Sequence, residues 1–116
     1  MLEKTTGSKA MSETAQTIGK RIRDWLKNRY GSAIKAVILY GSHVRGDATQ
    51  ESDIDLLVVV DSSLDPWEIH RSLDGLLFDI LLETEQLVSV VVFPEDLYER
   101  YSSPFLMNVR REGMAL

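Results

Sequence analysis

Residues 54–60, Ile-Asp-Leu-Leu-Val-Val-Val, are apolar at every position but Asp55 and rich in β-branched side chains. Such a run is a buried strand, and it forces the chain to shield its sheet with other elements. Ile34 to Tyr40 has the same character and stops at Gly41, while Leu87 to Phe93 gives a third strand closed by Pro94. Helical spacing fills the intervals. Ala15, Ile18, Ile22, Trp25 and Leu26 predict a first helix starting at Ser12 and ending at Tyr30-Gly31. Ile69, Leu73, Leu76, Leu77, Ile80 and Leu81 predict one helix from about Pro66 to Glu85 that tolerates Gly75. Glu95 to Tyr101 reads as a brief helix. Ser103-Pro104 supplies the cap and first position of a last helix carrying Phe105, Leu106 and Val109 and ending at Gly113. The order α-β-β-α-β-α predicts an α+β fold, a small mixed β-sheet flanked by helices.

The chain has 116 residues and is 44% hydrophobic, enough for one core, so residues 12–116 are expected to form a single domain. The polar, aperiodic residues 1–11 read as a flexible N-terminal arm. A net charge of −5 argues against broad nucleic-acid binding, which depends on basic side chains at phosphates. With no cysteine, any metal must take oxygen or imidazole ligands. No apolar run approaches the roughly 20 residues of a membrane span, and no signal-peptide pattern opens the chain. A soluble cytoplasmic protein is expected, and self-association into a homo-oligomer stays open.

The chemistry concentrates between the first two strands. Asp53 and Asp55 are two apart at a strand entrance, so their carboxylates share one face. Like charges that close raise each other's pKa unless a cation joins them, and Mg²⁺ accepts such hard oxygen ligands together with substrate phosphates. Gly41 lets backbone approach a ligand, and Ser42 adds a hydroxyl at the end of the preceding strand. A short helix near Val44 to Thr49 and the positive Arg45 would complete a cradle for the terminal phosphates. His43, Asp47 and Glu51 read as solvated loop residues and His70 as a surface position. Trp25 and Trp67 read as helix-packing residues, and Arg110-Arg111 as a pair favouring the helix dipole.

Gly41-Ser42, ten intervening residues, then Asp53-Ile54-Asp55 resembles the signature of the polymerase-beta-like nucleotidyltransferase superfamily. Residues 40–57 are especially similar to the minimal nucleotidyltransferases of bacteria and archaea. The resemblance implies a nucleotidyltransferase-type core and transfer of a nucleoside monophosphate, AMP from ATP, to a hydroxyl of a protein or small molecule. Asp53 and Asp55 would be the catalytic metal ligands, with Gly41, Ser42 and Arg45 at the nucleotide. It also implies up to two Mg²⁺ ions held by three carboxylates. The strand expected to carry the third has Ser89 at the equivalent position, with Asp79, Glu83 and Glu85 as acids elsewhere. Many such proteins are antitoxins paired with a helical HEPN protein, which makes a HEPN protein the expected partner. The alternative implied by Ser89 is a non-catalytic nucleotide-binding or partner-binding subunit that neutralises such a toxin by complex formation.

Overall fold

The computed structural model describes the backbone of residues 7–116 and the side chains of residues 14–116; residues 1–6 of the expected arm lie outside the described residues. Helix α1 (Gly7–Tyr30) leads through a 3-10 turn into strand β1 (Ile34–Tyr40) and a one-turn helix α2 (Ser42–Arg45). Strand β2 (Ile54–Val60), helices α3 (Pro66–Ser72) and α4 (Asp74–Thr84) and strand β3 (Val88–Pro94) follow. The chain closes with α5 (Glu95–Arg100), α6 (Pro104–Glu112) and β4 (Met114–Ala115). The strands form one mixed sheet in the order β3-β2-β1-β4, with β1/β2 and β1/β4 antiparallel and β2/β3 parallel. The parallel pair needs a crossover, which α3 and α4 provide.

Helices cover both faces, as the apolar character of β2 requires. On one face Ala15, Ile18, Ile22 and Leu26 of α1, with Ile69, Leu73 and Ile80, pack on Val37, Leu39, Ile54, Leu56, Val58 and Val90. On the other, Leu106 and Val109 of α6 and Tyr98 of α5 pack on Leu57, Val59, Ile38, Val91 and Phe93. A bulge between Ile34 and Ala36 shifts the parity of β1, so that Ile34 joins Val37 and Leu39 on the first face while Ala36 lies on the second.

Several boundaries differ from the sequence expectations. Helix α1 begins at Gly7 and not at Ser12. The expected single helix from Pro66 to Glu85 is two. The Ser72 hydroxyl donates to the Ile69 carbonyl at 2.7 Å, and the Leu73 N–H turns to the His70 carbonyl at 3.1 Å. A side chain has thus captured the carbonyl that the next turn would have used. Asp65 caps α3 through the Trp67 N–H, but Trp67 itself is 68% exposed and does not pack in the core. Ser103 caps α6 as expected, its hydroxyl accepting from the Leu106 N–H at 3.2 Å.

The two-residue strand β4 was not anticipated, being too short to show a periodicity. It pairs Met114 with Leu39 and Ala115 with Ile38, and the Leu116 N–H donates to the Val37 carbonyl at 2.9 Å. Gly113 makes the turn from α6 into β4, where a Cβ would lie 2.5 Å from the Val109 carbonyl oxygen and 2.6 Å from Ile38 Cγ2. Gly113→Ala is therefore expected to cost about 1–3 kcal/mol by overpacking, measured as a lower urea midpoint at unchanged m-value.

Candidate active site

The site begins where β1 ends. Gly41 has φ 88°, a conformation that turns the chain straight from β1 into α2, and its carbonyl accepts from the N–H groups of Val44 and Arg45 at 3.0 and 3.1 Å. Helix α2 consequently starts at Ser42, earlier than the expected Val44 to Thr49, and stops at Gly46, whose φ is 89°. Past it, the Ser52 N–H donates to the Thr49 carbonyl at 3.1 Å and the Thr49 N–H to the Ser52 hydroxyl at 2.9 Å, and this turn delivers Asp53 to β2.

His43 corrects the expectation of a solvated loop residue. It is 3% exposed, and its Nε2 lies 3.3 Å from the Ser52 carbonyl, to which it donates. The reason is the short helix: it turns His43 inward, across to the far end of the loop. His43 thereby fastens the segment that holds Asp53 to the segment that holds Ser42.

Asp55 is half-buried and is the cross-strand neighbour of Tyr40, the residue before Gly41. A Cβ on Gly41 would lie 2.4 Å from Asp55 Oδ2, so the glycine leaves the space that this carboxylate occupies. Burial and then the like charge of Asp53 hold the Asp55 carboxyl above its ordinary pKa, with Glu112 adding to the effect and His43 and Arg45 opposing it. Burial and the Asp55 charge push the Tyr40 hydroxyl up to about 12.

Gly41, Ser42, Arg45 and Asp55 line one cavity of about 300 Å³, walled on its apolar side by Tyr40 and Phe105, whose rings meet edge to face at 5.5 Å. Asp53 is exposed, does not line that cavity, and reaches Asp55 through its charge. Arg45 points into the group, but it is ion-paired, to Asp47 at 3.4 Å and to Glu112 at 3.3 Å. Asp47 is thus more than loop solvation.

The sequence did not indicate the contribution of α6 to the cavity, which includes Asn108 and the last residue of the helix, Glu112. Glu112 also accepts from the Gly41 N–H at 3.0 Å, a contact between residues 71 positions apart, for which no local pattern exists.

Ser89 is the parallel-register partner of Asp55 and is exposed, so the sheet sets a hydroxyl beside the acid pair. The other acids considered are engaged elsewhere. Glu83 pairs with Arg21 at 2.8 Å, the charge of Asp79 also acts on Arg21, and Glu85 lines a separate cavity with Gln50 and Glu51. Among the described residues no group of three His, Cys, Asp or Glu is arranged to hold a metal. Two carboxylates beside an anion cradle suit one Mg²⁺ that draws its remaining ligands from phosphate and water. Glu112, the other carboxylate at the cavity, is held by the Gly41 N–H and Arg45, so among the described residues no third acid is grouped with the pair for a second ion. No helix among the described residues is long and apolar enough to cross a membrane.

Comparison with known proteins bears on this arrangement. A family model described as a nucleotidyltransferase domain matches residues 20–112. Two proteins of Methanocaldococcus jannaschii, each named "Putative protein adenylyltransferase", are similar to the chain. One is 37% identical over 92 residues, covering 78% of this chain and 86% of the relative. The other is 32% identical over 88 residues, covering 72% of this chain and 58% of the relative. In fold, the chain is similar to a crystal structure of a toxin-antitoxin with AMP-PNP, with a TM-score of 0.57 at 20% identity over 84% of this chain and 70% of that one. It is also similar to a mutant of the toxin-antitoxin MntA-HpeT, with a TM-score of 0.54 at 23% identity over 84% and 69%.

Proposed function

This chain belongs to the nucleotidyltransferase domain family, and from that premise we propose that it moves AMP from ATP to a hydroxyl on a protein, as the antitoxin of a toxin-antitoxin pair. The observation that carries the proposal is the closeness of Gly41-Ser42 to Asp55 in a single cavity with Arg45. The Gly41 N–H and the Arg45 guanidinium are donors for the terminal phosphates, and Asp53 with Asp55 are the ligands of Mg²⁺. When bound, Mg²⁺ neutralises phosphate charge and polarises the phosphoryl centre. The acceptor hydroxyl gives up its proton to solvent as its oxygen bonds to the α-phosphorus, the bond to the bridging oxygen breaks, and pyrophosphate leaves.

The protein's part is to align these groups. Tyr40 and Phe105 wall the cavity against water, and His43 keeps both arms of the loop together. The relatives named as protein adenylyltransferases support a protein acceptor, and the toxin-antitoxin neighbours support a toxin partner, which we expect to be a HEPN protein.

Ser89 favours a second reading, a subunit that binds nucleotide and silences its partner without chemistry. The hydroxyl beside Asp55 brings no charge for a second ion and no base for the attacking group. The test uses ATP labelled at the α-phosphate with the toxin partner as acceptor. Label on the acceptor, lost on addition of EDTA, is the expected result. Ser89→Asp is expected to raise the transfer rate by at least about tenfold, toward the contribution typical of a positioned acid or base. A parent that binds ATP and the partner but leaves no label on it, even as Ser89→Asp, would establish the second reading instead.

A further inference from the structure

We propose that Glu112 is a built-in occupant of the phosphate cradle, a carboxylate that holds the Gly41 N–H and the Arg45 guanidinium until the triphosphate displaces it. The inference rests on the nucleotide site described above and concerns its regulation.

The geometry is specific. Glu112 Oε2 accepts from the Gly41 N–H at 3.0 Å and from Arg45 Nη1 at 3.3 Å, and its Oε1 lies 3.4 Å from the same Arg45 nitrogen. These are the donors proposed for a phosphate oxygen, and a carboxylate is the side chain that most resembles one in charge and acceptor geometry. The placement also carries a cost. Glu112 lines the same cavity as Asp55, so one edge of the cavity gathers negative charge that a triphosphate must meet. The end of α6 does not depend on this carboxylate, since the helix closes through the Gly113 N–H on the Val109 carbonyl at 2.8 Å.

Release does not need the helix to move. The backbone at Glu112 is pinned on one side by α6, whose Leu106 and Val109 are buried, and on the other by the pairing of β4 with β1. The side chain is 20% exposed, so rotation about its own bonds carries the carboxylate to solvent. The Gly41 N–H is then free to meet phosphate, and Arg45 Nη1 is released while its Nε keeps Asp47. Glu112 thus lowers nucleotide affinity by competition and makes the cavity favour an anion that arrives with its cation.

Glu112→Gln keeps the size of the side chain and removes its charge, and Glu112→Ala removes the occupant. Calorimetry with ATP plus Mg²⁺, and separately with inorganic tripolyphosphate plus Mg²⁺, reads the effect in the full chain. Both variants are expected to bind both ligands about tenfold more tightly than the parent, since each loses a charge-assisted competitor. Unchanged or weaker binding in the variants, with the parent still binding ATP, would overturn the inference and leave the nucleotide site standing. No binding of either ligand by parent or variants would overturn both. Circular dichroism separates a folding failure of Glu112→Ala from either result, and Glu112→Gln carries the test alone if that variant does not fold.

Discussion

Asparagine at both Asp53 and Asp55 is expected to abolish Mg²⁺-dependent triphosphate binding while leaving the free protein at least as stable as the parent. The affinity loss should be at least about a hundredfold, because removing even an outer partner of a metal ligand costs about 10–100-fold. The stability arm follows from the sign of the Asp55 shift. Its folded pKa lies above that of an ordinary aspartate, 3.8. The contribution to stability is therefore fully present below that value, where the group is protonated in both states, and is lost as pH rises through the folded pKa. Once ionised, the half-buried Asp55 carboxylate meets the like charge of Asp53, and asparagine relieves that repulsion. Calorimetric titration with ATP and Mg²⁺, paired with a thermal melt, checks both arms. Unchanged affinity would mean the carboxylates do not hold the metal, and a sharp fall in Tm would mean they are structural.

Gly41→Val is expected to lose triphosphate binding and also to destabilise the fold by about 2–4 kcal/mol, the sum of a strained backbone and a steric collision. Sequence reasoning alone expects that variant to remain folded, with only phosphate approach blocked. The structure changes the expectation, since Gly41 has φ 88° and its Cβ would come within 2.4 Å of Asp55 Oδ2. The two costs separate in a double mutant. Asp55→Ala removes the collision and leaves the backbone strain, so Gly41→Val in that background should cost less than in the parent. Urea denaturation of the four proteins measures the coupling. Equal costs in both backgrounds would place Asp55 out of contact with Gly41.

The loop between β1 and β2 was legible because it is local. Gly41-Ser42 and Asp53-Ile54-Asp55 flank it in the sequence, and the pairing of β1 with β2 brings Asp55 to Gly41 while Asp53 stays exposed outside the cavity. The strands were legible for a similar reason, since a run such as Ile54–Val60 has no stable place outside a sheet core. Ser103-Pro104 marked the start of α6, and it caps the helix through the Leu106 N–H. The position of Ser89 opposite the aspartates was implied by the family resemblance and not by a local pattern, and the parallel register of β2 and β3 sets it beside Asp55.

What the sequence by itself determined was therefore the three long strands, the helical segments around them, their apolar faces and the loop between β1 and β2, all of which depend on residues within a few positions of one another. The tertiary structure decided what those faces meet. It turned His43 from solvent to the Ser52 carbonyl, left Trp67 exposed, broke the long helix at Leu73 and added β4 beside β1. It also brought Glu112 across 71 positions to the Gly41 N–H. Periodicity states which side of a helix is buried, but the partner of a polar group is chosen by whichever donor or acceptor packing brings within about 3 Å, and that depends on the whole chain at once.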